Sequence, residues 1–184
     1  MGLWDMRQTG LLVCLIVGIL IGVRPVHCQN LEASGNGGFG LAERSGFGIP
    51  GVPSGGATVG WALAPAHKLQ FDYAFGQIDR NLVHYNRHFF TGSYVLQLRQ
   101  GRTRPFLQFG AGAQYETNNA NQVINRDLYY TSRTAFAGVV GGGVTVEIGH
   151  GAFIRPQFRT YLAPGPTHTI NVTALPSVAL GLRF

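Results

Sequence analysis

The stretch RPFLQFGAGAQYE, residues 104–116, alternates between two kinds of side chain. Large or apolar residues recur at every second position, and mostly glycine or polar residues stand between them. Because successive side chains of a β-strand point to opposite faces, this period of two predicts a strand with one apolar and one polar face. The apolar face comprises Leu107, Phe109, Ala111, Ala113 and Tyr115; the other comprises Arg104, Gln108, Gly110, Gly112, Gln114 and Glu116.

Seven further segments follow the same alternation and bring the predicted number of strands to eight. They are LEASGNGGFGLAE, ATVGWALA, KLQFDYAFGQ, HFFTGSYVLQLR, TAFAGVVGGGVTVEI, GAFIRPQFRTYL and LPSVALGLRF. The predicted connections alternate between long (44–55, 78–87, 118–132 and 164–172) and short (Pro65–His67, Gln100–Thr103 and Gly149–Gly151). Long loops at one end and short turns at the other are typical of membrane barrels. The sequence therefore predicts an all-β fold, an eight-stranded antiparallel up-and-down transmembrane β-barrel.

The volumes of the two faces predict which one lies inside. An eight-stranded barrel has an interior that side chains just fill. Phe, Tyr, Trp and Leu on the apolar face are too bulky to converge there, whereas the Gly- and Ala-rich polar face fits. Buried charges need partners, so we expect an internal ion-pair network and no open pore. Its members are Glu32, Asp72, Arg99, Arg104, Glu116, Glu147, Arg155, Arg159 and Arg183. The alternative is a soluble, lipocalin-like barrel with the aromatic face around an apolar ligand.

A glycine motif in the first predicted strand, SGNGGFG at residues 34–40, matches the G-x-G-x-x-G of dinucleotide-binding loops. That loop must follow a buried strand and open a helix. Here QNLEA precedes it, and the segment after it contains Pro50, Pro53 and many glycines, which prevent a helix of useful length. We therefore interpret the motif as part of a glycine-rich strand, and we expect no cofactor.

The N-terminus predicts a secretory signal peptide. Arg7 precedes the apolar run Leu11–Val23, and Arg24, Pro25 and a short polar exit follow. Cleavage after Cys28 would give a signal peptide at 1–28 and a barrel domain at 29–184. Both cysteines of the chain, Cys14 and Cys28, would then leave with it. A retained membrane anchor and lipidation of Cys28 are the alternatives.

The charge balance points to an anionic partner. The chain has 14 Lys and Arg against 8 Asp and Glu, a net charge of +6. A secreted chain does not meet nucleic acid in the cytoplasm, so phosphate-bearing lipid head groups are the expected anion and no nucleic acid is expected.

The last strand carries a resemblance to a known family. PSVALGLRF alternates apolar residues and ends on an aromatic residue, Phe184. In this it resembles the small outer-membrane β-barrels typified by the membrane domain of outer-membrane protein A and its adhesin-like relatives. The resemblance spans about residues 30–184. It implies a bacterial outer-membrane location, a C-terminal assembly signal at Phe184 read by the barrel-assembly machinery, and contact with outer-membrane lipid and lipopolysaccharide. We expect a monomer.

Catalytic and metal-binding groups are sparse. Some small barrels modify lipid A with His, Ser and a carboxylate, and Ser132, His84 and Asp79 are the set available here. All three fall on predicted loops, so we expect no catalytic residues. His84 and His88 have an i, i+4 spacing that would suit a metal on a helix, but HYNRH is not convincingly helical, and no metal site is expected.

Four arginines fall on predicted external loops, where they could contact lipopolysaccharide phosphates or pair with Asp79 and Asp127. They are Arg80, Arg87, Arg126 and Arg133. The expected function is a non-enzymatic outer-membrane barrel that serves envelope integrity or surface adhesion through four extracellular loops, with a further partner bound there. A lipid-A-modifying enzyme and a minor porin are the alternatives.

Overall fold

The computed structural model describes residues 31–43, 52–80, 83–118, 132–164 and 170–184. These residues form eight long strands. They are β1 (Leu31–Glu43), β2 (Val52–Ala64), β3 (His67–Arg80), β4 (Val83–Gln97), β5 (Thr103–Asn118), β6 (Ser132–Gly149), β7 (Ala152–Pro164) and β8 (Ile170–Arg183). The predicted signal peptide at 1–28, its cleavage site and the two cysteines lie outside the described residues.

Each strand pairs antiparallel with its neighbours in sequence, and β1 also pairs with β8, which closes the barrel. The closing register places Glu32 opposite Arg183 and Gly37 opposite Val178. A closed barrel leaves no sheet edge with unpaired backbone groups, as a lipid environment requires. The predicted eight-stranded up-and-down barrel is confirmed. None of the described residues forms a helix long and apolar enough to cross a bilayer.

The apolar face of the barrel points outward and the polar face points inward. Polar side chains such as Gln70, Asp72 and Arg159 are buried. Large apolar side chains on the outer surface are exposed, among them Val59, Trp61, Phe71, Phe90, Phe109, Phe136, Val140 and Leu180. Soluble proteins rarely expose so extensive an apolar surface, which a bilayer would cover. The predicted membrane-barrel arrangement is confirmed, and the soluble alternative, with the aromatic face inside, is wrong.

The two ends of the barrel differ. At the turn end, short connections at 65–66, 98–102 and 150–151 meet the start of β1 and the end of β8. The β6–β7 turn requires positive φ angles at Gly149 (138°) and Gly151 (78°), which glycine adopts without steric cost. At the opposite loop end, the strands are joined through segments 44–51, 81–82, 119–131 and 165–169.

The predicted connection at 78–87 is wrong. Strand β3 continues to Arg80 and β4 begins at Val83, and the ladder includes Ile78 opposite Tyr85 and Asp79 opposite His84. A hairpin that extends beyond the apolar belt has no apolar face to bury. The ladder hydrogen bonds join backbone N–H and C=O groups and do not depend on side-chain polarity. The two strands therefore continue here, although the alternating pattern that would reveal them has ended.

Candidate functional site

The turn end of the interior contains a cluster of six charged side chains, named here the cation cluster: Glu32, Lys68, Arg104, Glu147, Arg155 and Arg183. Glu32 accepts hydrogen bonds from Lys68 Nζ at 2.6 Å, from Arg155 Nη2 at 2.6 Å and from Arg183 Nη2 at 2.6 Å. Glu147 pairs with Arg104 and Arg183. Charge-assisted hydrogen bonds of this kind tie β1, β3, β5, β6, β7 and β8 together across the lumen.

Arg155 is a buried member of the cation cluster with several further contacts. Besides its contact with Glu32, its Nε donates to Thr145 Oγ1 at 2.9 Å. Its guanidinium also lies over the ring of Phe153, 4.6 Å from the centroid, and 5.5 Å from that of Phe106. Aromatic faces attract a cation most strongly where water is excluded. This end of the lumen is therefore packed with side chains.

The middle of the lumen is organised around one carboxylate, Asp72. Its Oδ1 accepts from Thr58 Oγ1 and Gln70 Nε2, both at 2.8 Å, and from Arg159 Nη1 at 3.1 Å. Its Oδ2 accepts from Gln108 Nε2 at 3.0 Å and from Ser93 Oγ at 3.3 Å. Five donors satisfy the charge, so a buried carboxylate is tolerated here.

Beyond Asp72 the lumen becomes apolar, which the sequence did not lead us to expect. The apolar plug consists of Ala74, Phe89, Ala137, Val139, Tyr161, Ala163 and Leu175. At its centre Phe89 and Tyr161 stack with ring centroids 4.1 Å apart. Both residues occupy positions of the alternating pattern that point into the lumen, and this spacing is the sequence signal that could have found them. Two large rings fit because neighbouring inward positions are small.

Nearer the loop end, Arg87 pairs with Glu116 and donates from Nη1 to Thr173 Oγ1 at 2.8 Å. The Arg87 side chain is 11 % exposed and that of Glu116 is 3 % exposed. The expectation that Arg87 lies on a loop and faces lipopolysaccharide phosphate is therefore wrong. Because β4 starts at Val83, Arg87 lies within a strand and points into the lumen.

Two other differences concern the predicted charge network. The structure places Glu32, Asp72, Arg104, Glu116, Glu147, Arg155, Arg159 and Arg183 at inward positions, each with an ion pair. Arg99 was expected among them and is instead exposed, because β4 ends at Gln97 and Arg99 lies in the following turn. Lys68 was missed, although it shares the parity of Gln70 and Asp72 on β3.

Inward-facing glycines provide space for the long cationic side chains. A Cβ atom added to Gly60 would lie 2.9 Å from Lys68 Cδ, and one added to Gly141 would lie 2.5 Å from the backbone oxygen of Phe158 and 3.2 Å from Arg159 Cγ. In the glycine motif of β1, Gly35 and Gly37 have nothing within 4 Å of such an atom, whereas Gly38 lies against Ser177 of β8. The motif is part of a strand, as predicted.

The predicted catalytic alternative is only partly brought together. Asp79 and His84 are direct partners in the β3–β4 ladder, but Ser132 begins β6 opposite Thr117 of β5. With a strand spacing of about 4.8 Å, Ser132 is roughly 10 Å from β4. His84 and His88 both lie in a strand, where four residues span about 13 Å, too far for one metal ion. His88 Nδ1 instead lies 3.0 Å from the Tyr73 hydroxyl.

The other predicted phosphate contacts lie at the loop end. Arg80 is the last residue of β3. Arg133 is half-buried near the start of β6 and stands opposite the inward-facing Glu116 in register, so it lies on the lumen side and the expected phosphate contact is wrong for it too. Arg126 and Asp127 lie outside the described residues.

No protein-family model and no curated protein sequence match the chain. Solved structures do match in fold. Neisserial surface protein A is 14 % identical with a TM-score of 0.67, over 84 % of this chain and 97 % of that one. The N-terminal β-barrel domain of Pseudomonas aeruginosa OprF is 14 % identical with a TM-score of 0.59, over 85 % and 98 %.

A third match is Ail, the attachment invasion locus protein of Yersinia pestis, solved with the heparin analogue sucrose octasulfate. It is 13 % identical with a TM-score of 0.56, over 84 % of this chain and 99 % of that one. The chain thus has the fold of small eight-stranded outer-membrane barrels. The matches agree with the predicted location in the bacterial outer membrane.

Proposed function

We propose that this protein is a closed outer-membrane barrel without an open pore that acts through the surface at its loop end, in adhesion or in the integrity of the envelope. The observation that supports this most directly is the filling of the lumen at successive levels by the cation cluster, the Asp72 network and the apolar plug. Because side chains occupy the axis, transport through the barrel is disfavoured. The minor-porin alternative therefore has less support.

The surface at the loop end supports a binding role. Four segments, 44–51, 81–82, 119–131 and 165–169, connect the strands there and would form the four extracellular loops. Arg80 ends β3 at this end, and we expect Arg80 and Arg126 to contact lipopolysaccharide phosphates, since guanidinium groups bind phosphate through paired hydrogen bonds. Assembly into the membrane would use the C-terminal strand and Phe184, and the barrel would act as a monomer.

The experiment compares bacteria that express the natural chain with bacteria that express a variant in which 119–131 is replaced by a short Gly-Ser connection. A matched control replaces the turn residues 150–151 with Gly-Gly instead. Attachment to lipopolysaccharide-coated and sulfated-glycan-coated surfaces, and leakage of a periplasmic enzyme, are measured at equal barrel levels. We expect the loop-end replacement to reduce attachment or increase leakage and the turn-end replacement to change neither. No change with either replacement would contradict the proposed role.

The enzymatic alternative, modification of lipid A, has less support because Ser132 lies two strands from His84. Mass spectrometry of lipid A from cells with and without the protein tests it. A defined gain or loss of an acyl chain would favour the enzyme, and an unchanged spectrum would favour a binding role.

A further inference from the structure

A polar pocket of about 460 Å³ opens at the turn end, at the mouth of the lumen. We name it the mouth pocket; Pro65, Gln97, Gln100, Gly101, Arg102, Arg104 and Glu147 line it. It adjoins the cation cluster directly, because Arg104 and Glu147 belong to both. The proposed action at the loop end makes no use of this pocket.

The charges around the mouth pocket do not balance. The cation cluster contains four cations, Lys68, Arg104, Arg155 and Arg183, but two carboxylates, Glu32 and Glu147. Arg102, at the rim of the pocket, adds a further positive charge. An excess of cations in a partly buried site is costly unless an anion compensates it.

The carboxylates of the cation cluster are already shared. Glu32 pairs with three cations and Glu147 pairs with two, so neither carboxylate is left to neutralise the charge of Arg102. Arg102 uses its Nε to donate to the backbone oxygen of Glu147 at 3.0 Å. Arg104 Nε is buried and has no hydrogen-bond partner among the described residues. The pocket therefore lies beside an excess of positive charge, and one of the arginines that line it has an unused buried donor.

We infer that the mouth pocket binds an oxyanion of the phosphate class, held by Arg102 and Arg104 with the amides of Gln97 and Gln100 nearby. Phosphate has several acceptor oxygens, and it matches guanidinium groups that approach from different strands. The phosphate could be free inorganic phosphate or the head group of an anionic phospholipid. Binding of a lipid head group rests on the proposed placement in the membrane, because the turn end would then meet the head groups of the inner leaflet of the outer membrane. Binding of free phosphate does not depend on that placement.

The test uses the refolded mature barrel in a nonionic detergent. Its thermal unfolding midpoint is measured in inorganic phosphate and in chloride at equal ionic strength, and phosphate affinity is measured by calorimetry. A ligand that binds the folded state alone raises the midpoint. We expect phosphate to raise it above the chloride value. We also expect R102Q and R104Q each to weaken phosphate binding about tenfold or more, the effect of losing a charged hydrogen bond.

The matched control is R99Q, which removes an exposed arginine from the same turn but not from the mouth pocket. R99Q should bind phosphate as the natural chain does. Equal losses in R99Q and R102Q would show general electrostatic attraction and would overturn the inference. Because Arg104 is an interior residue whose substitution could impair folding, R102Q at the rim keeps the test decisive.

The source of the phosphate is tested with the same variants in phosphatidylcholine vesicles with and without phosphatidylglycerol. Stabilisation by phosphatidylglycerol that R102Q removes, with no effect of free phosphate, identifies a lipid head group. Stabilisation by inorganic phosphate that is lost in R102Q identifies a free anion. The absence of both effects in the natural chain would overturn the inference and leave the proposed action at the loop end untouched.

Discussion

Arg159 on β7 reaches across the lumen to Asp72 on β3, with its Nη1 3.1 Å from Asp72 Oδ1. The side chains are 1 % and 0 % exposed, respectively, so water screens neither charge. Removing one member of such a pair leaves the other charge buried and uncompensated, which is more damaging than removing both.

D72N should lower the free energy of unfolding by about 3–5 kcal/mol, because it leaves Arg159 buried without a counter-charge. The double variant D72N/R159Q should lose less than the sum of the two single variants. Urea unfolding of the barrel refolded in lipid vesicles, followed by circular dichroism, measures both quantities. A cost below about 1 kcal/mol for D72N, the size of an exposed pair, would contradict the account.

A second prediction concerns an inward-facing glycine. A Cβ atom at Gly112 would overlap the backbone of Phe90 and Thr91 on β4. G112A should therefore lower the free energy of unfolding by about 1–3 kcal/mol or prevent folding. G37A is the control, since nothing lies within 4 Å of its added Cβ. The fraction of each variant that migrates as a folded band on unheated gels measures the effect. Equal folding of the two variants would contradict the assigned packing.

A third prediction tests the lipid-facing surface with two positions on one strand. Val140, near the middle of β6, and Ile148, near its turn end, both point outward and are 49 % and 57 % exposed. An arginine at the bilayer midplane costs about 2–4 kcal/mol, but near the interface it costs about 0–1 kcal/mol. V140R should therefore destabilise the vesicle-embedded barrel more than I148R does. Equal costs in urea unfolding would argue against a membrane belt centred on Val140.

A fourth prediction concerns the last residue, Phe184. We expect deletion of Phe184 to reduce assembly into the outer membrane of cells, because the assembly machinery is expected to read a terminal aromatic residue. F184Y retains the aromatic ring and should assemble normally. The amount of heat-modifiable barrel in the outer-membrane fraction measures the effect. Full assembly without Phe184 would remove the role assigned to it.

The sequence predicted the fold well because the alternation of apolar and polar side chains directly indicates a sheet with one apolar and one polar face. The prediction succeeded in the part of the barrel that carries the outer apolar belt. There the outward positions of Phe109 and Val140 follow from their places in the alternating pattern alone. It failed beyond the belt. There Arg87 still lies in a strand, but no apolar face marks that strand. At the other end of β4, the alternating pattern continues through Leu98 and Arg99 into the turn, although the strand ends at Gln97.

The contents of the lumen were less predictable. Parity places a residue inside but does not say which of the eight strands it will meet there. The pairing of Glu32 with Lys68, Arg155 and Arg183 depends on strand tilt and closure, which no local pattern encodes. The apolar plug was missed because bulky rings were assigned to the outer face as a class. The small residues beside Phe89 and Tyr161 leave room for two of them inside.

The filled lumen can be tested by the electrical conductance of planar bilayers that contain the purified, refolded barrel. Flotation with vesicles and heat-modifiable migration first establish that the barrel has folded and inserted. We expect no stable channels, because the cation cluster, the Asp72 network and the apolar plug fill the axis. Stable channels of porin size from folded protein would contradict it.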